Sequence, residues 1–222
     1  MTPEGKKTRV SGASSSRSRP KVVARTGKTV WPPGNMAAPA PAALVSCREP
    51  GGKANLITVG WCGNINTNPP MLSISLRPER FSFGIIERTD EFVVNFPSVS
   101  IARAVDYCGV VSGRDVDKFA TAGLTEAKAG GVDCPLVAEC PINISCRATE
   151  RVPLGSHVLI LAKVLEVAVD SALVDGKGAF RIDRADLLCY AHGFYFGLSG
   201  AIGHFGWSVR KKKKHRPGRK QG

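Results

Sequence analysis

Apolar and polar positions alternate with a period of two through much of the middle of the chain. Leu56, Thr58 and Gly60 fall on one side of a run, and Ile57, Val59 and Trp61 on the other, up to a break at Gly63. A polar corner, Asn64 to Asn68, follows, and Pro69-Pro70 forces an extended exit into a second alternating run from Met71 to Arg77. Period-two alternation on both sides of a Gly/Asn/Pro break predicts two adjacent β-strands. Arg77-Pro78-Glu79-Arg80-Phe81-Ser82 then leads into a short predicted helix over Phe83–Arg88.

The same reasoning extends along the chain. Ala42–Arg48 predicts a strand that turns at Glu49-Pro50-Gly51-Gly52, and Glu91–Phe96 another that ends at Pro97. Ser100–Tyr107 has helical spacing, with Ile101, Ala104, Val105 and Cys108 on one side and Ser98 or Ser100 as the cap. Residues 143–152 and 157–170 predict a hairpin around Pro153–Ser156. Pro135 and Pro141 mark loop positions before what reads as an edge strand starting at Ile142. Leu187–Leu198 predicts two short strands around His192-Gly193, with Tyr190, Phe194 and Phe196 as packing residues. Six or more strands in hairpins, with a few short helices, imply a mainly β, antiparallel barrel.

A net charge of +13 over 222 residues suggests a nucleic-acid binder until the charge is located. Residues 1–30 carry +7 and residues 210–222 carry +8, which leaves 31–209 at −2. The basicity belongs to the ends. Residues 1–30 are rich in Ser, Arg, Lys and Gly, and read as a disordered basic tail. An organelle transit peptide, or an extension ahead of an alternative start at Met36, are the other readings of that segment. Residues 210–222 read as a disordered Lys/Arg tail, and 31–209 as one domain. The seven cysteines contain no CxxC pair and read as free buried thiols of a reducing compartment; the expected location is cytoplasmic. The Cys134-x5-Cys140-x5-Cys146 spacing fits no common zinc pattern, so no metal site is predicted. No apolar run reaches the length of a membrane span.

Two stretches carry candidate chemistry. Arg77, Arg80 and Ser82 stand at a strand-to-helix junction, beside the free N–H groups of a helix start, and make a phosphate cradle. Cys108–Phe119 (CGVVSGRDVDKF) offers a Gly-Ser-Gly loop followed by Arg114 and Lys118. It reads either as a second oxyanion cradle or as a helix start with Asp115 capping and Lys118 solvated.

These stretches also carry a resemblance. Asn55–Gly63, Asn68-Pro69-Pro70, Ser75–Ser82 and Cys108–Phe119 are similar to motifs of the flavin reductase-like, FMN-binding split-barrel family, in particular its flavoredoxin-like branch. The resemblance implies a split barrel that dimerises and holds FMN where two subunits meet. It places Thr58, Val59, Gly60, Trp61 and Cys62 near the flavin ring. Ser75, Arg77, Arg80 and Ser82 go near the ribityl phosphate, and Lys118 is a second phosphate contact. His157, in Gly-Ser-His at a strand start, is put at the flavin edge where a nicotinamide would approach. In the segment near Tyr190, His192 stands where the family usually has Asn, which leaves its role open. The expected function is an FMN-binding oxidoreductase, either an NAD(P)H-dependent flavin reductase or a flavoredoxin-like electron carrier. With no G-x-G-x-x-G fingerprint after a strand, NAD(P)H would be a transient donor. Two readings of other classes stay open: an anion-binding β-barrel module tethered to polyanions by its basic tails, and a thiol redox protein using Cys62 or Cys108.

Overall fold

The structure is a computed structural model that describes residues 21–23 and 27–209. The chain divides into two compact units, residues 1–37 and 38–222. In the first, β1 (Lys21–Val23) and β2 (Lys28–Val30) pair as an antiparallel hairpin. The other residues before 27, and the basic tail from 210, lie outside the described residues, so the expected disorder there is not addressed by the fold.

The second unit is built on one seven-stranded antiparallel sheet. Its strands are β4 (Ala43–Arg48), β5 (Ala54–Val59), β6 (Cys62–Thr67), β7 (Pro70–Leu76), β8 (Glu91–Phe96), β11 (Ile142–Pro153) and β12 (Val158–Val169). They run in the spatial order β5-β4-β8-β11-β12-β7-β6. The two ends of that order are consecutive in sequence, joined only by Gly60-Trp61, so the sheet must curl until its edges meet. Register shifts in the β11–β12 pair, after Ser145 and after Ala148, give the bends that such curling needs. No ladder joins β5 to β6. The Ser75 N–H donates to the Trp61 carbonyl at 2.9 Å, which prolongs the β6–β7 pairing by one step and leaves the seam open. The result is an antiparallel split β-barrel with a few short helices, as expected.

Two expectations fail here. The alternating runs were expected to be adjacent strands around a polar corner, but β5 and β7 do not pair. Asn64–Thr67 is itself strand: β6 pairs with β7 through the turn at Asn68-Pro69. An edge strand exposed on both faces shows no alternation, so its polar sequence read as a corner. In turn, Ile142 opens a central strand, held by β8 on one side and β12 on the other, rather than an edge.

Burial explains the apolar patterns. β7 and β12 alternate, with Leu72, Ile74 and Leu76 facing Val158, Ile160 and Ala162 inside the barrel. β4 is apolar on both faces because it separates two cores: Ala43, Val45 and Cys47 point into the barrel, while Leu44 packs under the helices. The helix α1 (Phe81–Thr89) plugs the barrel with Phe83, Ile85 and Ile86. The helix α2 (Ala102–Val110) buries Val105 and Cys108, and α3 (Lys118–Ala122) buries Phe119 in the same outer cluster. A 3-10 turn, Val99–Ile101, precedes α2, and neither serine caps the helix; the Ser98 and Ser100 hydroxyls bond each other at 2.7 Å. Asp117, not Asp115, caps α3, accepting from Ala120 N–H at 3.1 Å.

Smaller pairings complete the unit. β9 (Glu126–Ala127) pairs with β10 (Leu136–Val137), and β3 (Ala40–Pro41) with β13 (Leu188–Ala191), which pairs with β14 (Phe194–Gly197). The β13–β14 turn is His192-Gly193, both at positive φ, the conformation that two-residue hairpin turns demand. Phe194 and Phe196 do not pack as expected: they are 67% and 50% exposed. No described helix is long and apolar enough to cross a membrane.

Candidate functional site: a cleft at the barrel seam with a cationic hollow

The seam opens into a cleft of about 420 Å³. Its floor is the end of β5, where Ile57, Thr58, Val59 and Gly60 run out of ladder partners on one side. Trp61 and His157 form one wall, their ring centroids 4.5 Å apart. The His157 Nδ1 meets Ser156 Oγ at 2.9 Å. Trp61 is 46% exposed, so much of its surface faces solvent or a ligand. Tyr190 and Tyr195, edge to face and 5.5 Å apart, form another wall with Asp106, Gly109 and Val110 of α2. Ser75, Leu76, Arg77 and Arg80 close one end.

At that end the cleft adjoins a hollow of about 50 Å³, which shares Ile57 and Arg80 with it. Ser82, in the first turn of α1, and Ser112, Gly113 and Lys118 also line the hollow. Ser82 is buried at 1% exposure and accepts from Asn55 Nδ2 at 2.7 Å. Lys118 is not solvated; it is 3% exposed, and its Nζ donates to the Leu56 and Cys108 carbonyls at 2.7 Å each. Burial holds its ammonium below the ordinary lysine range, and the Arg80 charge pushes the same way. An ammonium has three N–H donors, so two carbonyls leave one to spare. Two cations facing one small hollow are an arrangement that an anion would relieve. Glu79 lines the hollow as well, and its carboxylate lies 3.5 Å from Arg77.

The residues predicted from sequence are thus divided. Thr58, Val59, Gly60, Trp61, Ser75, Arg77 and His157 line the cleft, Ser82 and Lys118 the hollow, and Arg80 both. Cys62 lines neither. It sits one position past Trp61 and turns the other way, packing against the barrel core, and burial pushes its thiol up to about 12. Thr58 reaches the cleft, but its hydroxyl donates to the Val105 carbonyl and ties β5 to α2. The Gly109 position fits that contact, since a Cβ there would lie 3.1 Å from the Thr58 Cβ. Cys108 is buried, with its thiol raised to about 11 by desolvation. Seven free cysteines are present among the described residues, and neither Cys62 nor Cys108 has the lowered pKa of a reactive thiol.

The flavin reductase like domain family matches residues 36–199, most of the chain. The chain belongs to that family. Flavoredoxin of Desulfovibrio vulgaris (Miyazaki F) superposes with a TM-score of 0.77 at 25% identity, over 82% of this chain and 100% of that one. Flavoredoxin from Methanosarcina acetivorans gives a TM-score of 0.71 at 28% identity, again over 82% and 100%. A flavin reductase of Pseudomonas putida is 26% identical over 139 residues, 61% of this chain and 78% of its own length.

Within this flavin reductase-like domain, sequence reasoning missed one wall of the cleft. Tyr195 donates to Asp106 Oδ1 at 3.1 Å, and its phenol is pushed up to about 12 by burial and then by that carboxylate. A signal existed for Asp106: it lies three and four positions before Gly109 and Val110, on the α2 face opposite the buried Val105–Cys108 stripe. Nothing local pointed to Tyr195, which arrives from a hairpin 89 residues away.

Proposed function

We propose that this chain is an FMN-binding oxidoreductase that works as an NAD(P)H-dependent flavin reductase or a flavoredoxin-like electron carrier. The observation that carries the reading is the junction at Arg80 between an aromatic-walled cleft and a hollow lined by two cations. A planar heterocycle with a phosphate tail has that shape and polarity. The cleft volume also falls in the range of about 300–1,000 Å³ common to small-molecule sites. Arg80, Ser82 and Lys118 would hold the phosphate, helped by the first-turn N–H groups of α1. The β5 end, Thr58 to Gly60, would face the ring.

FMN bound in this cleft would supply the hydride and electron chemistry, so no protein acid/base dyad would be needed. The chain's own residues bind, orient and shield. Trp61 and His157 flank the open side, where a nicotinamide or a redox partner would approach. With Nδ1 held by Ser156, His157 Nε2 is the atom able to pass a proton to or from that side. Phe194, Phe196, Leu198 and Trp207 are all at least half exposed, and such a strip is expected to be covered by a second copy in a homodimer.

An absorption spectrum of the purified protein tests the reading. A yellow protein that bleaches with NADPH or NADH is the expected result for a reductase. Bleaching only with dithionite or a protein partner marks an electron carrier. A protein that stays colourless after reconstitution, yet is retained on a polyanion, overturns both in favour of a binding module. Sedimentation at micromolar concentration should give twice the chain mass.

A further inference from the structure

Four groups on the walls of the cleft can hold charge: Arg77, Arg80, His157 and Asp106. On the proposed reading a phosphate answers the cations at one end, where Glu79 also stands 3.5 Å from Arg77. Asp106 has no such counterpart and is the single carboxylate among the described residues that line the cleft. Tyr195 donates to its Oδ1 at 3.1 Å, and its Oδ2 has no hydrogen-bond partner among the described residues. The helix that carries Asp106 adds charge of the same sign. Gly109 and Val110, the last residues of α2, also line the cleft, so the negative end of the helix dipole lies there. Lys118 answers part of it through the Cys108 carbonyl. One neighbour already registers the carboxylate: burial first, and then Asp106, push the Tyr195 phenol up to about 12. Ionising that phenol would put a second negative charge on the same wall.

A flavin ring meets the same penalty when it is reduced. With two electrons and two protons it stays neutral; with two electrons and one proton it becomes an anion. A cleft of about 420 Å³ is only about one screening length across, roughly 8 Å at physiological salt, so a wall charge reaches every part of it. We propose that Asp106 tunes the redox step: its carboxylate disfavours the anionic reduced ring, lowers the potential of the bound flavin and so makes the reduced protein a stronger electron donor. This inference rests on the flavin reading above and asks nothing of the phosphate site. Tyr195 fixes one oxygen of the carboxylate without removing its charge.

Asp106→Asn is the direct test, since it keeps the shape and an oxygen for Tyr195 while removing the charge. The midpoint potential of bound FMN is read against a reference dye during reduction. In Asp106→Asn the reduced-to-oxidised ratio at a fixed potential should rise about tenfold, an upward shift of about 30 mV for a two-electron couple. Tyr195→Phe breaks the same hydrogen bond but keeps the charge, and should move that ratio by less than about threefold. Added salt should raise the potential of the parent, as the carboxylate is screened, and leave that of Asp106→Asn nearly flat. An unchanged or lowered potential in Asp106→Asn, or an equal rise in Tyr195→Phe, overturns the proposal. If Asp106→Asn fails to fold, the salt dependence of the parent decides alone: a rise sustains the role and a flat response refutes it. A parent that binds no flavin overturns the functional reading, and the role of Asp106 falls with it.

Discussion

The two ends of the cleft are built on different principles. The hollow is made from the core outward: Ser82, Asn55 and Lys118 are buried, and every one has a fixed hydrogen-bond partner. Its footing includes Cys47, whose thiol lies 4.0 Å from the Ser82 carbonyl, and Cys108, whose carbonyl accepts from Lys118. The mouth is made of exposed and half-buried rings, Trp61 against His157 and Tyr190 against Tyr195, held by ring contacts, by the bond between His157 and Ser156 and by a bond from Tyr195 to an exposed aspartate. The lesson is one of division. A phosphate needs donors that are already dry and oriented before it arrives, whereas a ring that exchanges electrons needs one side left open.

The largest expected effect falls on the hollow. On the proposed reading, Arg80→Ala combined with Ser82→Ala would remove two bonds to a bound phosphate, each worth about 1.5–3 kcal/mol. FMN affinity should therefore drop at least ~100-fold while riboflavin affinity barely moves. Equal loss of both flavins, measured by fluorescence titration, would break the contrast between the ends.

Next comes alkaline pH. Burial raises the thiols of Cys47 and Cys146 to about 12 and that of Cys108 to about 11, from an unfolded value near 9.0. Below pH 9 both folded and unfolded chains keep these protons. Above it the unfolded chain releases them first, so folding stability should fall as pH climbs from about 9 through 12. The melting temperature should decline over the accessible part of that window. Cys47→Ala with Cys146→Ala should flatten the decline relative to the parent, whatever its cost at neutral pH. An unchanged slope would mean that these buried thiols do not set the alkaline decline.

At the mouth, Trp61→Ala should weaken FMN and riboflavin by the same factor, about tenfold, because a ring wall cannot sense the phosphate. A selective loss of FMN would mean that the two ends are not separable. The smallest effect belongs to Tyr195→Phe. Its bond ends on an exposed carboxylate that water can replace, so the melting temperature should shift by less than the equivalent of about 1 kcal/mol.

How much of this was legible varied with burial. α1 and strands β4, β8, β11 and β12 were readable because their apolar spacing matches their buried faces. Strand β6 was not, since an edge with no buried face has no pattern to show. Trp61, Arg80 and Lys118 were singled out through motifs and line the cleft or the hollow, whereas the motifs put Cys62 beside the ring and the strand's alternation turns it to the core. Asn55 stood inside a recognised run with no role attached, and its contacts with Ser82 and Gly113 exist only because folding brings those segments to it.

By itself the sequence determined most of the element types, the near-neutral body between basic ends and the cluster of cations at the strand-to-helix corner. All of these are local: periodicity, composition and adjacent donors are set by neighbours along the chain. Tertiary structure alone decided that β5 and β6 are the two edges of one curled sheet, that the cleft opens where they fail to pair, and that Asp106 and Tyr195 form part of its wall. Those facts depend on strand order and on contacts between distant segments, and free energy settles them over the whole buried surface at once rather than residue by residue.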